Sequence, residues 1–296
     1  MILRRASLVA VAALVVLGVA FYFRPLEFVH VYNLVQLWRA DVHRHDVRVG
    51  PYRVEYLEGG RGAPLILIHG VASKAEDATL LMPALTRDHH VFAPDLLGYG
   101  GSDKPDVDYS IALQTDVVRG FMDSLRLRQA DLLGVSMGGW IALKLAAEHP
   151  ERVRRLVLVS SAGFAFPTTL RETSFSPANP DELRRILLMQ TDRASQLPDF
   201  VARDFLRVSR EHAWIVRRSM HAMLTQRDII EGKLQNVRMP VMIVWGTADR
   251  VVPFGIAARM QREIPQARVV PLAGCGHLAI LECRDRALPA ITRFLQ

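Results

Sequence analysis

Short apolar runs alternate with segments of helical spacing from residue 51 to the end of the chain. The apolar runs cover residues 64–68, 91–93, 130–135, 153–160, 241–245 and 268–272, and the helical patterns cover 74–87, 110–126, 138–148, 254–264 and 284–294. Unbroken runs of Val, Ile and Leu between helices are typical of parallel strands that are covered on both faces. The pattern therefore predicts an α/β fold built on a parallel sheet.

Residues 163–239 interrupt this alternation, because no strand-like run occurs there. Asn179 and Pro180 favour a helix start, since Asn caps free N–H groups and Pro fits the first turn. Asp181 and Glu182 then place carboxylates at the positive end of the helix dipole. We expect a helical insertion between two strands of the sheet.

The N-terminal residues 6–23 contain no charged residue and no proline. Eighteen helical residues rise about 27 Å, close to the hydrocarbon thickness of a bilayer. Arg4 and Arg5 precede the run, and Arg24 follows it, partly offset by Glu27. This charge bias favours an N-terminus in the cytoplasm and a following domain outside it.

An amphipathic pattern comes next, as in a helix that lies in the membrane interface, and its apolar residues are Phe28, Val31, Val35 and Trp38. We therefore predict a transmembrane signal anchor over residues 1–24, a juxtamembrane amphipathic segment over 25–46 and a folded domain over 47–296. Two alternatives stay open for the apolar run. It could be a signal peptide cleaved after the small residues 18–20, or a helix buried in the core.

Composition and charge narrow the class of protein. The chain has 296 residues, is half hydrophobic and carries a formal net charge of +7. Because the positive charge is spread along the chain rather than concentrated on one stripe, we expect no nucleic-acid partner. Cys275 and Cys283 are too few for a disulfide scaffold, and we expect a buried thiol and a helix thiol rather than a bridge.

The sharpest motif is Gly-x-Ser-x-Gly, which residues 134–138 place between a predicted strand and a predicted helix. In that setting the serine occupies a tight, strained turn that exposes its oxygen above the sheet. The following helix N-terminus offers free N–H groups to an oxyanion. We predict that Ser136 is a nucleophile.

A serine nucleophile needs a base, and the base needs an orienting group. Asp249 comes just after the strand predicted at 241–245, and His277 comes just after the one at 268–272. Both should lie at the carboxyl edge of the sheet beside Ser136. We predict that His277 is the general base and that Asp249 orients it.

A second strand end carries His69, Gly70 and Val71. Gly70 allows the backbone to pass close to the site, so that the Val71 N–H can join the Met137 N–H in an oxyanion hole. Backbone donors suit this role because they are fixed before charge develops. We expect His69 to be a structural hydrogen-bonding group rather than an acid or base.

The glycine-rich segment 95–102 looks like a nucleotide-binding loop at first sight. It lacks the full Gly-x-Gly-x-x-Gly pattern, and Pro105 interrupts a following helix, so we interpret it as a tight turn. No Walker loop, His-Glu-x-x-His or paired Cys-x-x-Cys occurs in the sequence. We therefore expect no cofactor and no metal ion.

Over residues 51–296, these motifs together resemble the α/β-hydrolase superfamily. They are His69-Gly70, the 95–102 turn, the Ser136 elbow, Asp249 and His277. The resemblance implies an eight-stranded, mostly parallel sheet with helices on both faces and a helical lid after the sixth strand, where 163–239 lie. Within the superfamily, the chain most resembles monoacylglycerol lipases with an N-terminal membrane anchor and related bacterial lipases.

We therefore predict a membrane-bound serine carboxylic-ester hydrolase, a lipase or esterase that cleaves hydrophobic or lipid esters through an acyl-enzyme on Ser136. Carbon–carbon hydrolases of ring-cleavage products share the triad and a similar lid, although their elbow often has Asn where this chain has Val135. Such a hydrolase, and a non-catalytic binding protein of the same fold, remain alternatives. The sequence leaves the acyl length, the alcohol part and the oligomeric state open.

Overall fold

An eight-stranded sheet forms the centre of the molecule in the computed structural model, which describes residues 2–191 and 197–296, with side chains from residue 10 onward. The strands are β1 (Val42–Val49), β2 (Tyr52–Gly59), β3 (Ala63–Ile68), β4 (His89–Pro94), β5 (Ala130–Val135), β6 (Val153–Val159), β7 (Val241–Gly246) and β8 (Arg268–Leu272). They lie in the order β1-β2-β4-β3-β5-β6-β7-β8. Strand β2 pairs antiparallel with β1 and β4, and the other neighbours are parallel. The predicted, mostly parallel α/β sheet is confirmed.

Two helices precede the sheet, α1 (Ile2–Phe23) and α2 (Pro25–Arg39). Among the described residues, none of the helices alone has the length and hydropathy of a membrane span. Ala10–Phe23 and Pro25–Arg39 have them only together, as a pair that is bent by 102°. Pro25 opens α2 at the bend, where its missing N–H interrupts the helical hydrogen bonds. The side chains of residues 6–9, part of the predicted span, lie outside the described residues.

The exposed side of α1 argues against a helix buried in the core. Leu14 and Val16 are 68% and 67% exposed, and Phe23 at the end of the helix is 66% exposed. The structure therefore leaves this apolar surface without a protein partner over the described residues.

The segment 25–46 is divided between α2 and β1, which begins at Val42. Only the terminal residues of β1, Val42 and Val49, are buried. An edge strand with one neighbour and mostly exposed side chains needs no apolar run. The hydrophobic pattern therefore gives no sign of this strand.

Helices cover both faces of the sheet, and each face has its own apolar core. The helices that cover the sheet are α3 (Met82–Leu85), α4 (Ile111–Ser124), α5 (Met137–Glu148), α9 (Gly255–Glu263), α10 (Ala279–Glu282) and α11 (Arg284–Leu295). The one clear difference from the predicted helices concerns 74–87, which forms a 3₁₀ turn over Ala75–Leu80 and then α3. Pro83 lies in the first turn of α3 and cannot continue a single helix from the preceding turn.

Between β6 and β7 the chain forms the insertion, hereafter the lid, with helices α6 (Pro180–Gln190), α7 (Asp199–Arg210) and α8 (Ala213–Leu224). Asn179 caps α6 as predicted, because its Oδ1 accepts a hydrogen bond of 3.0 Å from the Glu182 N–H. Residues 192–196 of the predicted insertion lie outside the described residues.

Candidate active site

Ser136 lies between β5 and α5 with φ 53° and ψ −115°. This backbone region is unfavourable for a residue with a side chain, so the surrounding structure must hold it there. The Ser136 N–H donates to Val159 O at 2.9 Å, and Ser136 O accepts from Ala162 N–H at 3.1 Å and Trp140 N–H at 3.2 Å. These backbone bonds fix the turn on both sides of the side chain.

The glycines of the motif are required by close packing. A Cβ on Gly138 would lie 2.1 Å from Ile68 O, and one on Gly134 would lie 2.3 Å from Gly138 O. A Cβ on Gly139 would lie 2.5 Å from Ser161 Oγ. The elbow thus packs directly against its neighbours, and only residues without a side chain fit.

Ser136, His277 and Asp249 form one hydrogen-bonded chain. Ser136 Oγ lies 2.9 Å from His277 Nε2, and His277 Nδ1 lies 2.8 Å from Asp249 Oδ2. His277 and Asp249 are buried, while Ser136 is half-buried. The structure therefore brings together three side chains that are far apart in the sequence.

Backbone donors hold the second oxygen of Asp249. Oδ1 accepts from the N–H groups of Val251 and Val252, each at 2.9 Å. With Oδ2 on the imidazole, both oxygens of the carboxylate have partners. Sequence reasoning missed these two donors, although an Asp whose oxygen bonds N–H groups two and three residues later is a common turn signal.

The loop after β3 passes directly over Ser136. A Cβ on Gly70 would lie 3.4 Å from Ser136 Cβ and 3.9 Å from Ser136 Oγ. Among the described residues, none accepts a hydrogen bond from the N–H of Val71 or Met137. Both predicted donors are therefore without an acceptor within the part of the chain that the structure describes.

His69 connects two loops at the base of the site. The Leu96 N–H donates to His69 Nε2 at 3.0 Å, so the imidazole proton is on Nδ1, which lies 2.8 Å from Gly70 O. Burial lowers the pKa of His69, against the opposing field of Asp95. A neutral imidazole in two backbone contacts fits the expected structural role.

The turn at 95–102 is held by its own polar groups. Asp95 accepts from Ala75 N–H at 2.6 Å and from Gly101 N–H at 2.8 Å, and Ser102 Oγ donates to Asp95 O at 2.7 Å. A Cβ on Gly100 would overlap the Asp95 carboxylate. These contacts agree with a tight turn.

Among residues 2–191 and 197–296, no cluster of three or more His, Cys, Asp or Glu side chains could hold a metal ion.

Cys275 and Cys283 are bonded to each other, so the expectation of two separate thiols is wrong. The short helix α10 turns the chain back and brings the two Cα atoms to 6.3 Å, and this return is not visible in the sequence pattern. The closed segment carries His277. Arg286 Nη2 lies 2.8 Å from both sulfur atoms.

The sequence of the folded domain is similar to that of known hydrolases. The α/β hydrolase fold family matches residues 63–282. A 2-hydroxymuconate semialdehyde hydrolase of Pseudomonas sp. (strain CF600) is 33% identical over 261 residues, which is 82% of this chain and 90% of the relative.

Two solved structures extend the comparison. A membrane phospholipase A described as a bacterial virulence factor superposes with a TM-score of 0.83 at 28% identity, over 99% of this chain and 98% of that one. A meta-cleavage product hydrolase of Pseudomonas fluorescens IP01 superposes with a TM-score of 0.76 at 27% identity, over 85% of this chain and 97% of that one. From the family match and the sequence identity together, the chain belongs to the α/β-hydrolase fold family and is a hydrolase.

Proposed function

We propose that this hydrolase is a serine esterase or lipase that cleaves hydrophobic or lipid carboxylic esters. The observation that carries the proposal is the hydrogen-bonded chain from Ser136 Oγ through His277 to Asp249. The N–H groups of Val71 and Met137 add to it, because neither has an acceptor among the described residues. A serine oxygen, a base, an orienting carboxylate and oxyanion donors are the parts that acyl transfer needs.

The proposed mechanism follows from these contacts. His277 Nε2 takes the proton of Ser136 Oγ as that oxygen attacks the ester carbonyl, and the N–H groups of Val71 and Met137 stabilise the oxyanion. His277 then returns the proton to the leaving alcohol, and an acyl-enzyme remains on Ser136. Water, activated by His277, releases the acid. Asp249 keeps the Nδ1 proton in place and stabilises the imidazolium.

A covalent probe tests the nucleophile. A fluorophosphonate should label wild-type protein on Ser136, and the change Ser136→Ala should abolish both labelling and p-nitrophenyl ester turnover. Ser124→Ala is a matched control, because that exposed hydroxyl lies on the surface end of α4, bonded to Arg48 O. Undiminished turnover in Ser136→Ala would refute the proposed nucleophile.

The similar proteins point to two candidate reactions, hydrolysis of a lipid ester and hydrolysis of a carbon–carbon bond. The phospholipase similarity supports a lipid ester and extends over the N-terminal helices, since it covers 99% of this chain. The hydroxymuconate semialdehyde hydrolase has the higher identity, 33%, but over 82% of the chain. Hydrolysis of a carbon–carbon bond in a ring-cleavage product is therefore the second candidate function.

A substrate panel separates the two candidates. The full-length enzyme would be given p-nitrophenyl esters and phospholipids of increasing acyl length and, in parallel, 2-hydroxymuconate semialdehyde and a meta-cleavage dienoate. We expect kcat/KM for long-chain esters to exceed that for the dienoate at least tenfold. A dienoate kcat/KM above that of every ester would replace the first proposal by the second.

We also propose that α1 inserts in a membrane and that the catalytic domain faces an oxidising, extracytoplasmic compartment. Exposed apolar side chains along α1 support insertion, because such a surface is unfavourable in water. The Cys275–Cys283 bond supports an oxidising compartment, since disulfides are rare in the cytosol.

Both parts of that proposal are testable on the full chain. Flotation with anionic phospholipid vesicles should carry the wild type upward, and the double change Leu14→Asp with Leu17→Asp should abolish flotation, whereas Leu14→Ala should not. In protein that is denatured in detergent directly from intact cells, a maleimide-polyethylene glycol reagent should modify Cys275 and Cys283 only after reduction. Modification of both thiols without reductant would show that the bond is absent in the cell and would contradict the proposed oxidising compartment.

A further inference from the structure

The carboxyl end of lid helix α6 contacts the loop that carries the proposed base, residues 273–278, hereafter the base loop. The N–H of Leu278, the residue after His277, donates to Gln190 O in the last turn of α6 at 3.0 Å. The last four carbonyl groups of a helix have no partner within the helix, so a donor from elsewhere stabilises the helix end. Here that donor belongs to the residue next to the base.

The same helix end contacts the loop that carries the orienting carboxylate, residues 247–250, hereafter the acid loop. Nη1 of Arg250, the residue after Asp249, donates to Leu188 O of α6 at 2.8 Å. A cation at a helix C-terminus is favourable, because it faces the negative end of the helix dipole. The acid loop is therefore joined to the lid through an exposed guanidinium, and the base loop through a backbone bond.

The acid loop and the base loop also contact each other. The Ala248 N–H donates to Cys275 O at 3.0 Å, and the Gly274 N–H donates to Thr247 Oγ1 at 3.2 Å. The end of α6 therefore completes a junction in which each loop contacts both the other loop and the lid. A displacement of α6 would remove one bond from each loop, next to the residue that the loop contributes to the triad.

The two ends of α6 differ in where their partners come from. At the amino end, Asn179 Oδ1 accepts from the Glu182 N–H, so a residue of the lid itself caps the helix. At the carboxyl end, the partners of Leu188 O and Gln190 O belong to the acid loop and the base loop. The position of this end of the lid is therefore linked to the triad.

We propose that Arg250 is a positioning residue, which seats the carboxyl end of α6 on the acid and base loops and so holds His277 at Ser136. The inference rests on the proposed function, because it takes the triad to perform acyl transfer. It assigns one end of the lid to the chemical step rather than to substrate access. Arg250 acts through the two loops, and its role requires no contact with the substrate.

The test removes the guanidinium and measures two esters. Arg250→Gln loses the guanidinium and with it the bond to Leu188 O. We expect kcat to fall about tenfold for a short-chain and a long-chain p-nitrophenyl ester alike, with KM changed less than twofold, because a small displacement of His277 impairs proton transfer. Arg250→Lys keeps a cationic donor and should retain at least half of the wild-type kcat.

The matched control is Arg48→Gln on the edge strand β1. Arg48 is also exposed, and its Nη1 also donates to a backbone carbonyl, that of Pro51, at 3.0 Å. This control loses the same kind of contact at a strand that carries no residue of the triad. It should keep kcat within twofold for both esters.

Two further measurements separate positioning from simple loss of stability. Hydrogen exchange, followed by mass spectrometry well below the unfolding midpoint, should be at least fivefold faster at the Leu278 amide in Arg250→Gln and unchanged in Arg48→Gln. In the Asp249→Asn background, Arg250→Gln should lower kcat less than twofold further, because the orientation of His277 is then already lost.

The outcomes distinguish failure of this inference from failure of the proposed function. If the wild type turns over esters and is labelled on Ser136, but Arg250→Gln keeps kcat within twofold, Arg250 has no positioning role. A loss for the long-chain ester alone, an unchanged exchange rate at Leu278, or a loss of kcat that only follows the unfolding midpoint would each overturn the inference. Absence of fluorophosphonate labelling on wild-type Ser136 overturns the proposed function instead.

Discussion

The two sides of Ser136 are held in different ways. On the sheet side, Asp249 and His277 come from short connections after β7 and β8, and backbone N–H groups and a disulfide fix them. On the other side, the lid is held against α2 by side chains that are distant in the sequence. We call the second region the α2 contact; it comprises α2, Asp204 of α7 and Glu76 of the 3₁₀ turn.

Asp204 is the centre of the α2 contact on the lid. Its Oδ2 accepts from the Leu26 N–H in the first turn of α2 at 3.0 Å, and its Oδ1 accepts from Arg207 Nε at 2.9 Å. Arg24 Nη1 lies 3.7 Å from the same carboxylate, whose side chain is 1% exposed. A lid carboxylate thus caps a helix that belongs to the N-terminal segment.

Glu76 holds the next turns of the same helix. Both of its oxygens lie 2.9 Å from His30 Nδ1, and Asn33 Nδ2 donates to Oε1 at 3.2 Å. Burial opposes ionisation, but the contacts with His30 and Lys74 keep the pKa of Glu76 below its ordinary value. Helix α2 therefore contacts both the lid and the segment that follows the oxyanion loop.

The difference suggests a division of roles, in which the sheet side determines the chemical step and the α2 contact determines substrate access. The sheet side is built from rigid strand ends, so a change there should affect the chemical step. The α2 contact joins the lid to α2, and lids commonly control access to an active site, so a change there should affect which esters reach Ser136. Four variants test this division, from the largest expected effect to the smallest.

Of these four variants, Asp249→Asn should cause the largest loss of activity. An amide cannot hold His277 in the tautomer that accepts the Ser136 proton, so we expect kcat to fall about 10⁴-fold. The measurement is kcat with a short-chain p-nitrophenyl ester, with the unfolding midpoint as a check on folding. Asp181→Asn, at an exposed position of α6, is the control and should retain activity. A loss of less than tenfold in Asp249→Asn would contradict the assigned role.

Loss of the disulfide should come next. The bond closes a segment with a sequence separation of 8, and in the chain-entropy account its removal costs about 2–3 kcal/mol of unfolding free energy. The double change Cys275→Ser with Cys283→Ser should show that loss in urea unfolding, and kcat should decline because His277 lies in the released segment. Reduction of the wild type should give the same two effects. A double variant as stable as the wild type would show that the bond is not formed in solution.

These two regions also show what the sequence can predict. Ser136, Asp249 and His277 were accessible to prediction because each follows a strand with a strong apolar pattern, and parallel strands end at one edge. Strand β1 was not, because most of its side chains are exposed. The bond from Leu26 to Asp204 spans 178 residues and depends on how the lid folds back, which no local pattern encodes.

Asp204→Asn should have a moderate effect that depends on the substrate. It keeps one acceptor for the Leu26 N–H but removes the charge that Arg24 and Arg207 share, so we expect a loss of about 1–2 kcal/mol in unfolding free energy. Turnover of long-chain esters should fall several-fold while short-chain turnover stays within twofold. Asp199→Asn, on the exposed first turn of α7, is the matched control. An equal loss of turnover for both chain lengths would show that Asp204 affects the chemical step rather than substrate access.

The smallest expected effect is the contribution of His69 to acid sensitivity on the sheet side. Because burial lowers the pKa of His69 in the folded state, the unfolded chain binds the proton more readily. Acid therefore lowers the free energy of unfolding. This contribution to stability is complete above pH 6.5, the ordinary histidine value, and decreases as the pH falls from there toward the lower folded-state pKa. His69→Gln should be less stable than the wild type at pH 8, but it should lose less stability than the wild type between pH 7 and pH 5 in urea titrations. Identical slopes for the wild type and His69→Gln would show that His69 does not carry this acid sensitivity, and the sheet side would then depend on other groups for it.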